Sequence, residues 1–202
     1  MRVFGFVKSK LDGTESIFDE KLDDALPKEY SYVKYLPSVW NQGSNPYCVP
    51  YSIASYINWK MNVKEGVNNK DRKVNIKDIF HGDANGMTFK DAFEYLKDKG
   101  AKTNDGIFKI TDYARIGNPD SLKTAIIANG PCVGSINVYN SNLNEFWVPG
   151  DKLEGAHAIA FVGYDEDGFI IRNSWGKSYG NDGYWILPYD RVYDLYEVWT
   201  LF

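Results

Sequence analysis

Residues 155–176 read GAHAIAFVGYDEDGFIIRNSWG. Two apolar runs flank the polar turn at 165–168, which is the pattern of two antiparallel strands joined as a hairpin. The first run contains His157, and a polar imidazole in such surroundings needs a hydrogen-bond partner. Asn173 ends the second run, so the hairpin brings its amide oxygen near the imidazole. The sequence therefore predicts a His157–Asn173 pair in which the amide fixes the orientation of the ring.

The pairing register of this hairpin decides whether the two side chains can meet, because side chains alternate between the faces of a strand. If Tyr164 pairs with Gly168, His157 and Asn173 share one face. If Asp165 pairs with Gly168 instead, Asn173 turns away. Contact between His157 and Asn173 therefore requires a three-residue loop before Gly168, or a bulge with the same effect. Gly168 suits the positive φ that such loops place near their end.

A second chemical feature precedes a predicted helix. Residues 41–46 read as a loop, and a helix follows from about Cys48. Its start lowers the pKa of a thiol through the partial positive charge of the helix N-terminus. The backbone N–H of Cys48 and the side-chain amide of Gln42 can serve as two donors to an oxyanion. The apolar face of this helix comprises Val49, Ile53, Ile57 and Met61.

The remaining pattern places helices early and strands late, which predicts an α+β chain with segregated lobes. We expect an N-terminal segment at 1–25, a mainly helical lobe at 26–112 and a mainly antiparallel β lobe at 113–202. Two further helices are predicted around 89–96 and 122–128. The other predicted strands are 133–138, 184–188 and 196–201.

Composition excludes several function classes. The 202 residues are 44% hydrophobic and 16% aromatic, enough for a substantial core. The net charge of −4 gives no basic footprint for nucleic acid, and no apolar run is long enough for a membrane span. The apolar stretch at 3–7 is too brief for a signal peptide, which favours the cytoplasm. We expect a monomer.

The chain has two cysteines, Cys48 and Cys132, and two histidines, His81 and His157. They are too scattered for a metal site, so we expect no metal and no cofactor. If Cys48 is a working thiolate, it cannot also form a bridge, so we expect no structural disulfide. Taken singly, these residues and Asn173 have ordinary structural interpretations. Cys132 is typical of a core residue, His81 of a surface loop, and Asn173 before Ser-Trp-Gly of a turn.

Three motifs in this order resemble those of the papain-like cysteine peptidases. The first is Asn41-Gln42-Gly43-Ser44 followed by Cys48, which resembles the nucleophile loop of that family. Residues 155–164 resemble its histidine strand. Residues 172–176, followed by Tyr179-Gly180 and Asp182-Gly183-Tyr184, resemble its asparagine segment almost residue for residue. The resemblance covers roughly residues 26–187.

This resemblance implies a two-lobe fold, with a helical left lobe, an antiparallel β-barrel-like right lobe and the active site in the cleft between them. It implies a peptidase that acts on peptide or protein substrates. The implied roles are Cys48 as nucleophile, His157 as general base and then acid, Asn173 as the residue that orients it, and Gln42 as oxyanion donor.

The resemblance also implies a substrate-binding surface. Trp175 would shield the His157–Asn173 bond from water and line the primed side of the cleft. The stretch 82–87 resembles the glycine-rich strip of the family. Gly86 would then pair with the substrate backbone, and Met87 would flank the main specificity pocket.

The sequence also departs from the family pattern. Asn45 and Asp83 stand where the family has two bridged cysteines, and Val49 stands where an aromatic residue follows the nucleophile. The spacing from Cys48 to His157 is shorter than in papain relatives. Residues 1–25 resemble the short leader of bacterial and viral members and are too short for a long inhibitory pro-segment, which argues against control by a pro-domain.

Two alternatives to a peptidase stay open at this point. An acyl transferase or amidase uses the same thiol chemistry, since an amine can take the acyl group instead of water. A non-catalytic binding protein can keep the fold without the reaction. The presence of all four residues Cys48, His157, Asn173 and Gln42 argues against the second alternative.

Overall fold

The computed structural model of the protein describes residues 4–20, 25–140, 145–150 and 152–202. Residues 1–3 and 21–24 of the predicted N-terminal segment lie outside these ranges. The helices are α1 (Cys48–Glu65), α2 (Ile76–Ile79), α3 (Phe89–Asp98) and α4 (Pro119–Asn129). The strands are β1 (Tyr30–Ser31), β2 (Ala101–Thr103), β3 (Gly106–Phe108), β4 (Tyr113–Arg115), β5 (Cys132–Val138), β6 (Gly155–Tyr164), β7 (Gly168–Arg172), β8 (Tyr184–Pro188) and β9 (Glu197–Leu201).

Helix α1 begins at Cys48, which confirms the predicted start, and it is more deeply buried than predicted. Every residue from 48 to 59 except Tyr51 is buried, whereas the sequence suggested one apolar face. The reason is that α1 lies against β6 and also contacts α2 and α3. Two of its buried polar side chains, Ser52 and Asn58, each donate to a helix carbonyl at 2.8 Å. The buried Asn62 donates instead to the Tyr35 and Lys70 carbonyls outside the helix.

One antiparallel sheet carries most of the strands, in the order β4-β9-β5-β6-β7-β8, with β1 paired to β6. Strands β2 and β3 form a separate hairpin. The α+β class with an antiparallel sheet is confirmed. Within the described residues the sheet is open, because β4 and β8 are not paired to each other, so the barrel-like expectation is corrected. The lobe boundary at 112/113 stays a prediction.

The core is rich in aromatic side chains. Trp199, Tyr56 and Phe161 are fully buried, and Cys132 is a core residue as predicted, with no exposed surface. Cys48 and Cys132 are both free thiols. None of the helices in the described ranges combines the length and apolar character needed to cross a bilayer.

The N-terminal segment adds to the edge of this sheet. The Arg115 N–H of β4 donates to the Ser16 carbonyl, and the Phe18 N–H donates to the Arg115 carbonyl, both at 2.8 Å. Phe18 is buried. Between this contact and the first residues of the chain lies an exposed turn around Asp12 and Gly13. The segment is therefore held to the body on both sides of a solvent-exposed turn.

Candidate active site

Cys48 is the first residue of α1, and its side chain is fully buried. The backbone N–H of Ala158, on β6, lies close enough to Cys48 to lower the pKa of its thiol. Because Ala158 follows His157 directly, this contact places the thiol beside the histidine strand. The two residues that the sequence identified separately are thus brought together by the packing of α1 on β6.

His157 and Asn173 form a buried hydrogen bond, with His157 Nε2 and Asn173 Oδ1 2.7 Å apart. The Ser174 N–H donates to the same oxygen at 2.7 Å. An atom that accepts this N–H is the amide oxygen rather than the nitrogen. Nε2 therefore carries the hydrogen toward Asn173, and Nδ1 is the nitrogen that can exchange a proton with a reacting group.

The register that allows this contact differs from the predicted loop. Tyr164 pairs with Phe169, and the Asp165 N–H donates to the Gly168 carbonyl at 2.9 Å, so the loop has two residues rather than three. Asp165 Oδ1 accepts the N–H groups of Asp167 and Gly168, which stabilises the shorter turn.

A bulge between Phe161 and Gly163 then shifts the register by one residue, and Ala160 pairs with Arg172. This bulge restores the parity that lets His157 meet Asn173. The φ of Gly168 is not positive, so that expectation is also wrong. A side chain at Gly168 would instead approach the Leu187 carbonyl oxygen to 2.2 Å, so the glycine permits close contact with β8.

Trp175 covers the His157–Asn173 bond. Its ring stacks on the imidazole with centroids 4.7 Å apart and an interplanar angle of 29°. Trp175 is only 3% exposed and contacts Phe146 and Trp185 on its other sides. Water is thereby kept from the hydrogen bond, and the bond is stronger in this low-dielectric setting.

Gln42 is tied to the asparagine segment. The Gln42 N–H donates to the Ser174 carbonyl at 2.8 Å, and the Ser174 hydroxyl donates to Gln42 Oε1 at 2.6 Å. These bonds orient the side-chain nitrogen, Nε2, which donates to the Asn45 carbonyl at 2.9 Å. Ser174 is a positioning residue that sequence reasoning missed, since a serine in a turn carries no distinctive signal.

Residues 4–9, the occluding segment, lie over Cys48. The Met87 N–H donates to the Gly5 carbonyl, and the Val7 N–H donates to the Met87 carbonyl, both at 3.0 Å. The Gly5 backbone N–H also lies close enough to Cys48 to lower the pKa of its thiol. The glycine-rich strip therefore binds a peptide backbone through Met87, while Gly86 itself pairs with Asp83.

The side chains of the occluding segment fill the space beside the site. The Phe4 ring lies 6.2 Å from the His157 ring and 6.3 Å from the Trp175 ring. Phe6 is buried and packs against Phe89 and Tyr196 at 5.7 and 6.1 Å. These contacts show that the segment occupies the space beside the site, and the argument from sequence against control by a pro-domain stays a prediction.

The segment presents the wrong group to the thiol for cleavage. The Gly5 N–H is the group that lies close enough to lower the pKa of the Cys48 thiol, while the Gly5 carbonyl oxygen is held by Met87. Burial raises the pKa of the Cys48 thiol to about 11, although the N–H groups of Ala158 and Gly5 lower it in part. Burial thus favours the neutral thiol, which is a poorer nucleophile than the thiolate.

Gly5→Ala is expected to loosen the occluding segment. A Cβ at this position would lie 2.1 Å from the Pro46 carbonyl oxygen, a contact that forces the backbone to shift. We expect alkylation of Cys48 by iodoacetamide to become about ten-fold faster. Val7→Ala is the matched control, because Val7 is 38% exposed. Equal labelling of the Gly5 variant and the unaltered chain would contradict this assignment.

The other residues considered from sequence lie outside the site. His81 is exposed and donates from Nε2 to the Asp78 carbonyl at 2.8 Å, and its ring centroid lies 3.9 Å from that of Tyr95. Asn45 donates its side-chain N–H to the Gln42 carbonyl at 3.1 Å. The described ranges contain no group of three or more His, Cys, Asp or Glu side chains placed to hold a metal ion.

Comparison with known proteins relates the chain to a family. Residues 85–194, more than half of the chain, match the family model for papain family cysteine proteases. Cathepsin K of Mus musculus is 25% identical over 218 residues, covering 91% of this chain and 66% of the cathepsin. Procathepsin L of Felis catus is 26% identical over 196 residues, covering 78% and 58%. The chain thus spans about three-fifths to two-thirds of the length of these relatives.

Solved structures share the fold. Xylellain, a cysteine protease from Xylella fastidiosa, superposes with a TM-score of 0.83 at 22% identity, over 99% of this chain and 96% of that one. The proCathepsin B S9 of Trypanosoma congolense superposes with a TM-score of 0.81 at 15% identity, over 100% and 87%. At these identities the likeness establishes the fold, and the fold class expected from the sequence motifs is confirmed.

Proposed function

The chain belongs to the papain family of cysteine proteases, and on that premise we propose that it hydrolyses peptide bonds with Cys48 as the nucleophile. One observation carries the proposal. His157 Nε2 lies 2.7 Å from Asn173 Oδ1, and the next residue on the same strand, Ala158, lies close enough to Cys48 for its N–H to lower the pKa of the thiol. The Cys48 thiol, the His157 imidazole and the Asn173 amide therefore lie together in one buried site. Thiol acylation requires this arrangement of a nucleophile, a base and a group that orients the base.

In the acylation step, His157 Nδ1 accepts the thiol proton and the Cys48 sulfur attacks the carbonyl carbon of the scissile bond. The resulting oxyanion is stabilised by the Cys48 backbone N–H and by Gln42 Nε2. His157 then gives its proton to the amine nitrogen, the carbon–nitrogen bond breaks, and a thioester remains. Asn173 holds the imidazole in one tautomer throughout.

In the deacylation step, water replaces the departed amine. His157 removes a proton from the water, whose oxygen attacks the thioester carbonyl, and the same two donors stabilise the second oxyanion. The carbon–sulfur bond then breaks and the thiol regains its proton from His157. Trp175 protects the His157–Asn173 bond from the water that enters for this step.

The proposal includes latency, since substrate and the occluding segment compete for one surface. Met87 has its N–H and carbonyl bonded to residues 5 and 7, and Cys48 has no exposed surface. Residues 4–9 must therefore leave before a substrate can bind. Their departure also returns water to the thiol, and its pKa then falls from its raised value.

Gln42→Ala is expected to lower turnover by about 100-fold, by analogy with the loss of one oxyanion donor elsewhere. The measurement is kcat with a peptide substrate in the protein from which the occluding segment has been released. Asn45→Ala is the control, because it removes a neighbouring side chain that bonds to the Gln42 carbonyl and leaves the Gln42 amide in place. An unchanged kcat in the Gln42 variant would remove this residue from the mechanism.

The proposed function is tested by trapping the nucleophile. A cleavable sequence inserted between Asp12 and Gly13, in the exposed turn, allows the occluding segment to be released in the folded protein. The released protein is treated with an irreversible epoxide thiol trap, and the adduct is located by mass spectrometry. We expect an adduct on Cys48 and digestion of a peptide library. Absence of any cleavage after release, with Cys48 labelled, would refute the peptidase proposal.

A further inference from the structure

Glu197, on β9, is a buried carboxylate that the proposed chemistry does not use. It is 3% exposed. Trp199 Nε1 donates to its Oε2 at 2.7 Å, and the Ser9 backbone N–H donates to its Oε1 at 2.9 Å. A buried carboxylate is costly unless donors satisfy it. One of these donors belongs to the same strand, and the other belongs to the occluding segment.

The bond between Ser9 and Glu197 lies at a position where it can hold the occluding segment in the cleft. Ser9 is itself buried and lies three residues after Phe6, whose ring stacks on Tyr196 beside Glu197. After Ser9 the chain runs into the exposed turn around Asp12 and Gly13. The Glu197–Ser9 bond is thus the last buried hydrogen bond of the segment before the exposed turn. Beyond it, Lys90 donates to the Lys10 carbonyl at 3.5 Å and the half-buried Leu11 packs against the core.

The Ser9–Glu197 bond also differs in kind from the bonds that the occluding segment forms with Met87. Hydrogen bonds from an N–H to a carboxylate are stronger than those between neutral groups, and this one is shielded from water by the burial of both residues. The bonds to Met87 are ordinary amide–carbonyl bonds, which any extended substrate backbone can replace. The bond to Glu197 therefore distinguishes the occluding segment from a peptide that merely occupies the strip.

We propose that Glu197 is the positioning residue that latches the occluding segment over Cys48, through its bond to the Ser9 N–H. This inference rests on the proposed function of the cleft, because it assigns the regulation of that site. Glu197 sets how often residues 4–9 lift from the thiol, and takes no part in bond cleavage.

The test is Glu197→Gln in the full chain, with iodoacetamide as the probe. Ser9 and Trp199 donate to different oxygens of Glu197. The amide has the same size but places an oxygen at only one of these two positions and carries no charge, so it holds the Ser9 N–H less strongly. We expect Cys48 to be labelled about ten-fold faster. Cys132 is the internal control, since it is fully buried in the core and reacts only if the protein unfolds.

A second pair of variants removes the donor instead of the acceptor. Ser9→Pro deletes the N–H that Glu197 accepts, and Ser9→Ala keeps it while removing the hydroxyl. The latch predicts fast labelling of Cys48 in the proline variant alone. Equal labelling of Cys48 in both variants would overturn it, as would unchanged labelling in the glutamine variant with Cys132 protected.

If Glu197→Gln exposes both cysteines, the protein has unfolded and the Ser9 pair decides the question. The labelling rate measures how accessible the Cys48 thiol is, and the measurement requires no peptide hydrolysis. A protein that never cleaves a peptide can therefore still confirm the latch. Conversely, a protein that cleaves peptides but labels unchanged in these variants refutes the latch and leaves the peptidase proposal intact.

Discussion

Replacing Cys48 with Ala is expected to abolish peptide hydrolysis, with a loss of at least about 10⁴-fold in kcat. Without the sulfur no thioester can form, and the remaining oxyanion donors supply only a small part of the rate enhancement. The fold should persist, because a small apolar side chain replaces another at the start of α1. The measurement is kcat in the protein from which the occluding segment has been released.

Cys132→Ala is the matched control. Cys132 is equally buried, but it lies on β5 with its sulfur 3.6 Å from the Gly130 carbonyl oxygen. Its loss should cost some stability and little activity. If the Cys132 variant were inactive while the Cys48 variant still cleaved peptides, the nucleophile would be wrongly assigned.

Cutting the exposed turn between Asp12 and Gly13 is expected to accelerate alkylation of Cys48 by about 100-fold. While the chain is intact, residues 4–9 act on the cleft at the millimolar effective concentration of a short tether. After the cut, the released peptide faces the cleft only at its own micromolar concentration and dissociates. The measurement is the rate of iodoacetamide labelling before and after the cut, with Cys132 labelling as control.

The pH profile of this labelling should change as well. In the intact chain burial holds the pKa of the thiol at about 11, so labelling rises with pH through the whole neutral range. Desolvation disfavours the thiolate, and water returning to the cleft removes that penalty. The cut protein should therefore reach its plateau at lower pH. If the peptide has demonstrably left and Cys48 reacts no faster, the segment is not what protects the thiol.

Local sequence signals predicted the elements that carry the site. Proline in the first turn and a four-residue apolar spacing place the start of α1 at Cys48, and two apolar runs around 165–168 predict the hairpin. Such signals can be read from sequence because the repeat of the helix or strand fixes the spacing of its apolar residues. The His157–Asn173 contact follows once the hairpin is known.

Two other features could not be predicted because they depend on distant contacts. The sequence predicted a bulge in the hairpin only as an alternative to a three-residue loop, and the position at Val162 has no signal of its own, since valine is common in regular strands. The apolar stretch at 3–7 is visible in the sequence, but the partner of Phe6, Met87, lies far along the chain. The orientation of the Gln42 amide depends on Ser174, which only the folded chain brings near.

The contact between Ser9 and Glu197 joins residues 188 positions apart, and this separation has a consequence for the order of folding. Contacts between distant parts of a chain form late, because the loop entropy must be lost before they contribute. The strip around Met87 and strand β9 must both be in place before residues 4–9 can dock. We therefore expect each newly folded molecule to pass through a brief stage in which its thiol is uncovered. Thiol-reactive reagents present during refolding would capture that stage.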